Sequence, residues 1–354
     1  MAHSTDIKDS WDPRYPDWLR TSRTEKMRNG RSVVLLCMAV WLIFHAESQA
    51  QESSVEKSLA ASAKKNASAR KSKPKPEIYT LVGAGDIAGC DNIAGAQSTA
   101  QLIEKIPGTV FAAGDLAYER GTEWEFQNCY GRTWGKFKDR TKPAPGNHEY
   151  NGSTAIGYFR YWGSQAGDPK KGYYSYDLGS WHVVVLNTNC DIPSLGGCGE
   201  GSPEETWLKE DLAAHPGACI VAYGHHALFS SGFFTKHSRH AELRPFWQDL
   251  YAAHADLMLA GHEHSYERFS PQDPQGNRDD PHGIRQITAG TGGISHTILG
   301  LAQPNSEVRN AATYGVLKLT LSPGKYKWEF IPEAGKNFRD SGEGACHNRG
   351  VISK

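Results

Sequence analysis

Two histidines one residue apart, in Gly261-His262-Glu263-His264, follow the short apolar run Asp256–Ala260. A glycine lets the chain turn sharply. In an extended segment positions i and i+2 project to one side, so His262 and His264 are expected to reach into one site. Neutral imidazole is the commonest metal ligand among side chains, yet a lone His-x-His is weak, because surface loops carry such pairs by accident. The pattern recurs along the chain. Gly85-Asp86 follows Ile78–Val82, Gly114-Asp115 follows Thr109–Ala113, and Gly224-His225-His226 follows Cys219–Tyr223. A fifth turn, Pro143–Glu149, holds Asn147-His148. Any one Gly-Asp is ordinarily a turn or a helix cap. Together the five turns offer two Asp, one Asn and three His at matching places. Mixed oxygen and imidazole ligands suit Zn, Fe or Mn rather than Ca. They exceed the needs of one tetrahedral ion and fit two ions bridged by a carboxylate, about 3.5–4 Å apart.

Something must bring these turns together. Strands are expected at Ile78–Val82, Thr109–Ala113, Trp181–Leu186, Cys219–Tyr223, Asp256–Ala260 and Ile284–Ala289, with helices at Ala94–Ile106, Glu123–Lys138 and Leu243–His254. Another helix opens at Ser202-Pro203-Glu204-Glu205, where Ser202 can cap and Glu205 can complete a capping box. Gly315–Leu321 and Lys325–Ile331, joined by Ser322-Pro323-Gly324, read as an antiparallel hairpin. Strands alternating with helices imply an α/β layered fold. Such folds collect ligands beyond the carboxyl ends of their strands, which is where Asp86, Asp115, His225, His262 and His264 fall.

The ordered set Gly85-Asp86, Gly114-Asp115-Leu116-Ala117-Tyr118, Gly146-Asn147-His148-Glu149, Gly224-His225-His226 and Gly261-His262-Glu263-His264 resembles the calcineurin-like metallophosphoesterases. The particular likeness is to the purple acid phosphatase branch and its bacterial secreted members, from about Ile78 to Pro332. The resemblance implies an α/β/β/α sandwich and a phosphatase that hydrolyses phosphomonoesters by attack of a metal-bound hydroxide. It implies that Asp86 and His264 hold a first metal, Asp115 bridges, and Asn147, His225 and His262 hold the second. It also places His148 at the substrate phosphate, with Asn147 and His226 as further substrate contacts. Many superfamily members begin with Asp-x-His; here Asp86-Ile87-Ala88 lacks that histidine. Purple acid phosphatases lack it too, and use a tyrosine three residues after the bridging Asp, the spacing of Tyr118. A phenolate ligand implies Fe(III) at the first position with Zn, Fe or Mn(II) at the second. The chain departs from the family where a proline is usual and Ala227 stands. The plant enzymes' substrate-side histidines have no counterpart at the same spacing, with His226, His237 and His240 as candidate substitutes. Their N-terminal β-sandwich domain also has no counterpart.

Lys+Arg and Asp+Glu are both 39 in the 354 residues, so no global positive field argues for nucleic acid. A metal site can still supply positive charge locally to a small phosphate ester. Arg28, Arg31, the apolar run Val33–Phe44 and Ala46–Ala50 read as a secretory signal peptide within residues 1–50, with Met27 a candidate start. The apolar run is shorter than the roughly 20 residues of a membrane span; an uncleaved anchor is the alternative. Residues 51–76, rich in Ala, Ser and Lys, read as a linker, and 77–354 as one catalytic domain. Removal of the apolar run takes Cys37 with it and leaves six cysteines. In a secreted or periplasmic protein an even number favours disulfides. Cys190 and Cys198 are the expected local bridge. Asn151–Gly172 and Phe269–Gly283 are the expected specificity loops. Two other readings remain open: a phosphodiesterase or nucleotidase with the same ligands, and a non-catalytic binding protein on this scaffold.

Overall fold

The computed structural model describes residues 57, 59, 77–151, 154–232 and 240–347. Every strand among the described residues lies in the compact unit Lys75–Lys354; of the other unit, Met1–Pro74, only residues 57 and 59 are described. The signal-peptide reading, Cys37 and His237 therefore fall outside the described residues, as does the linker reading apart from residues 57 and 59. Among those residues no helix is long and apolar enough to cross a membrane.

Two mixed sheets form the fold, with a short parallel pair, β2 (Ala88–Gly89) and β4 (Ala117–Tyr118), beside them. One runs β15 (Ser341–Ala345), β14 (Lys325–Pro332), β13 (Gly315–Ser322), β1 (Tyr79–Ala84), β3 (Thr109–Ala113), β5 (Thr141–Ala144). The other runs β12 (Ser306–Asn310), β10 (Tyr266–Phe269), β11 (Arg285–Ala289), β9 (Leu257–Ala260), β8 (Cys219–Tyr223), β7 (Trp181–Val185), β6 (Tyr174–Leu178). Strands β1, β3 and β5 are parallel neighbours, as are β7, β8, β9 and β11. Parallel strands covered on both faces read as continuous apolar runs. Accordingly β7, β8 and β9 are buried at every residue.

Three apolar clusters define the layers. Leu81, Phe111, Val183, Val221, Leu257 and Leu317 fill the space between the sheets. Val82, Val110 and Ala112, on the opposite side of their strands, pack against α1 (Ala94–Glu104) and the aromatic residues Phe126, Tyr130 and Trp134. Val184, Ile220 and Met258 pack against α3 (Pro203–Ala214) and α4 (Arg244–Ala252), numbered after α2 (Ile156–Trp162). This is the α/β/β/α sandwich expected from the sequence.

Local expectations fared unevenly. The hairpin β13–β14 forms with Ser322 opposite Lys325. Ser202 caps α3 by accepting from the Glu205 N–H at 3.2 Å, but the Glu205 carboxylate goes back to the Gly201 N–H instead of closing a capping box. Glu123–Lys138 is not one helix. It breaks into Glu123–Glu125, a π-turn Phe126–Tyr130 and a 3₁₀ stretch Trp134–Arg140, although the inward-facing Phe126, Cys129, Tyr130 and Trp134 keep the spacing of one helix face; that spacing marks the buried side of the segment and leaves its hydrogen-bond pattern unspecified. Cys190–Cys198 is bridged as expected, and Cys90–Cys129 and Cys219–Cys346 complete three disulfides.

Candidate metal centre

All five glycine-flanked turns meet at the carboxyl ends of β1, β3, β5, β8 and β9. Close approach of the sheets demands their glycines: a Cβ on Gly261 would lie 2.6 Å from the Ala113 carbonyl oxygen and 2.7 Å from Asp86 Oδ2. Asp86, Asp115 and His262 sit in the left-handed region, at φ of 60°, 52° and 68°. That conformation costs a residue with a Cβ about 1–2 kcal/mol and concentrates at functional sites. His262 is thus not extended, so the side chains of His262 and His264 diverge to different neighbours. Left-handed backbone at His262, and not strand alternation, is what brings both imidazoles to these turns.

The donor atoms form two groups. In the first, the Tyr118 hydroxyl lies 2.9 Å from Asp86 Oδ1, 3.1 Å from Asp115 Oδ2 and 3.1 Å from His264 Nε2. In the second, Asn147 Oδ1 lies 3.0 Å from His225 Nε2 and 3.0 Å from His262 Nδ1, and the two nitrogens are 3.2 Å apart. Asp115 Oδ2 belongs to both groups, since His225 Nε2 is 3.1 Å from it.

The outer nitrogens of two histidines are tied down. His225 Nδ1 donates to the Ala113 carbonyl at 2.9 Å, and His264 Nδ1 meets Ser295 Oγ at 2.6 Å. Such contacts fix the tautomer and aim the other nitrogen's lone pair inward. Lone pairs of oxygen and nitrogen therefore converge at about 3 Å, an arrangement that a cation satisfies, so the donor set fits two hard or borderline ions. The same crowding shifts the ionisation of these groups, and a cation that takes up the Nε2 lone pair of His225 has to displace a proton from it. Burial opposes ionisation of Asp115, but the His225 charge beside it holds its carboxyl far below the usual range. Burial likewise disfavours His225⁺, yet Asp115 raises its pKa to about 9. Burial and the neighbouring His225 push His262 down to about 4. Burial, Asp115 and Asp86 raise the Tyr118 phenol well above its ordinary value; only a strong local cation would invert that preference.

His148 lies at the edge. Its Nδ1 donates to the Glu119 carbonyl at 2.7 Å, its Nε2 is 3.8 Å from Asp115 Oδ2, and its ring packs 4.3 Å from that of Tyr118. His226 is buried beside the second group, with Nδ1 3.0 Å from Thr188 Oγ1 and its ring 4.5 Å from that of His262. A cavity of about 450 Å³ opens there, lined by Asn147, Tyr150, Thr188, Asn189, His226 and His240 among others. The described parts of Asn151–Gly172 reach this cavity only through Asn151, and Phe269–Gly283 does not line it.

Three supporting residues were not identified as such from the sequence. Glu149 is fully buried, and its carboxylate accepts the N–H groups of Asp115, Leu116, Ala117 and Gly146 at 2.7–3.3 Å. Burial and the Asp115 charge push it up to about 7, against the pull of those N–H donors. Thr188 Oγ1 accepts the N–H groups of His225 and His226. Ser295 orients His264. For Glu149 a signal existed, a carboxylate just after Asn-His; for an isolated Thr or Ser there was none.

A layered sandwich with ligand-bearing turns at the strand ends defines a metallophosphoesterase. The chain belongs to the calcineurin-like phosphoesterase family, whose sequence profile matches residues 71–266. Within it the relatives are purple acid phosphatases. Purple acid phosphatase 23 of Arabidopsis thaliana is 32% identical over 45% of this chain and 37% of its own length. Human acid phosphatase type 7 is 30% identical over 51% of this chain and 47% of its own. The chain thus matches less than half the length of either. A purple acid phosphatase from yellow lupin (Lupinus luteus) seeds shares the fold, with TM-score 0.60, 18% identity, and coverage of 76% of this chain and 54% of that one. The family implies a dinuclear metal site.

Proposed function

We propose that this chain is a dinuclear-metal phosphatase of acid phosphatase type that hydrolyses small phosphomonoesters. The observation that carries the reading is the sharing of Asp115 Oδ2 between the two donor groups. On this reading Asp86, Tyr118 and His264 hold the first ion, Asn147, His225 and His262 the second, and Asp115 both. A phenolate from Tyr118 favours Fe(III) at the first position, with Zn, Fe or Mn(II) at the second. Two ions held there would supply a water of lowered pKa and would neutralise phosphate charge.

The protein's own residues do the rest. Glu149, Thr188 and Ser295 keep the ligands in place. His148, oriented through Nδ1 by the Glu119 carbonyl, presents Nε2 to the site and in its protonated form delivers a proton to the leaving oxygen. Asn147 and His226 border the cavity, where a neutral alcohol leaving group has room. Three disulfides are consistent with a secreted or periplasmic protein. The test compares an aryl phosphomonoester with an aryl phosphodiester from acid to neutral pH. Faster monoester cleavage at acid pH supports the reading; faster diester cleavage overturns its substrate assignment.

A further inference from the structure

A second group of ligand-type side chains lies at the opposite end of β7 from the metal centre. His182, the second residue of β7, is almost wholly buried, yet both ring nitrogens are engaged by carboxylates. Nδ1 is 2.8 Å from Asp177 Oδ1 on the edge strand β6, and Nε2 is 2.8 Å from Asp211 Oδ2 on α3. The His215 ring stacks on it, with centroids 3.7 Å apart and planes 17° apart. One ligand atom each from Asp177, His182 and His215 lies within 4.8 Å of the other two.

Asp211 stands behind both imidazoles. Its carboxylate takes the Nε2 side of His182, and its backbone carbonyl accepts from His215 Nδ1 at 2.7 Å. Ser175 Oγ in turn donates to Asp211 Oδ1 at 2.8 Å. Metal-binding histidines are held in this way, with the outer nitrogen on a carboxylate or carbonyl and the inner one aimed at the ion. That leaves His182 Nδ1, His215 Nε2 and the Asp177 carboxylate as inner donors. The site has a buried anchor and a route from solvent: the side chains of His182, Asp177 and His215 are 1%, 59% and 31% exposed.

We propose that Asp177, His182 and His215 form a separate zinc-binding site that ties the β6–β7 hairpin to α3, independent of the phosphatase centre. Two imidazoles, one carboxylate and a water would complete a tetrahedral zinc. Zinc takes the place of the proton now shared between His182 and Asp177, and binding draws the stacked rings apart. The ion is structural, because no part of this group reaches the cavity beside the metal centre.

The full chain, carrying its phosphatase metals, is equilibrated with zinc, desalted and analysed for metal. The same is done with Asp177→Asn combined with His215→Ala, and with His215→Ala alone, which removes a partly exposed ring and leaves the buried His182 in place. The expected result is one more zinc ion per chain in the wild type than in either variant, with equal aryl phosphatase activity. A zinc-edge anomalous map should then show density between Asp177 and His182. Equal zinc content in all three proteins, or no anomalous density there, overturns the proposal and leaves His182 as a protonated bridge between carboxylates. Neither outcome depends on which ester the phosphatase centre prefers.

Discussion

The Tyr118 hydroxyl lies 3.1 Å from His264 Nε2 and 2.9 Å from Asp86 Oδ1, although 146 and 32 residues of chain separate it from them. A buried phenol among acceptors is poorly placed as a mere packing group. The oxidised, iron-loaded protein should therefore absorb visible light, and Tyr118→Phe should abolish the band while leaving the unfolding midpoint within a few degrees. A band of undiminished strength in the variant would remove Tyr118 from the ligand set.

Glu149 makes the turns after β3 and β5 act as one piece. Glutamine keeps its shape but offers only one acceptor oxygen to four N–H donors. Glu149→Gln should cost about 1–3 kcal/mol of stability for each donor left unsatisfied in the interior. It should also weaken metal retention by roughly 10–100-fold, as loss of an outer partner typically does. Chelator titration followed by metal analysis measures this; wild-type retention would show that Asp115 needs no such support.

His148 makes a different prediction, because none of its contacts requires it as a ligand. His148→Ala should keep both ions and slow turnover about 10²–10⁴-fold, the usual contribution of a positioned acid. The loss should be greatest for alkyl phosphates, whose leaving oxygens most need a proton. Full activity on an alkyl phosphate would end the acid assignment.

Asp256 gives the fold a pH dependence away from the site. It accepts the N–H groups of Ile220 and His347, next to the Cys219–Cys346 disulfide. Burial pushes its carboxyl up to about 7, against those two donors. An unfolded carboxyl near 3.8 holds fewer protons between about pH 4 and 7, so Asp256 makes stability fall as pH rises through that window and level off above it. In urea unfolding, Asp256→Asn should flatten that fall between pH 4.5 and 7. An unchanged slope would assign the pH dependence to other groups.

Much of this site was legible in the sequence because its ligands stand in turns after continuous apolar runs. The runs before Asp86, Asp115, His225 and His262 are buried strands, where apolar character and β structure coincide. Legibility failed at the edges of both sheets. β12 and β15 carry Ser, Glu and Gly at sheet edges, and no apolar alternation marks them; the edge strand β6 does alternate, as Tyr174-Ser175-Tyr176-Asp177-Leu178, a period-two signal that went unread. Edge positions relax the demand for burial, and pairing with the neighbouring strand then decides the structure. His262-Glu263-His264 reached the right place through left-handed backbone at His262, a conformation that the residue alternation of a strand does not encode. Ser295 and Thr188 were invisible because their importance lies in contacts made across 31 and 37 residues of chain.

Metal content tests the central claim most directly. The purified full chain should hold two ions per molecule, and Asp115→Ala should lose both together with phosphomonoester hydrolysis, because its Oδ2 serves both donor groups. A wild-type enzyme fully active with one ion, or an Asp115→Ala variant that still holds two, would contradict the account.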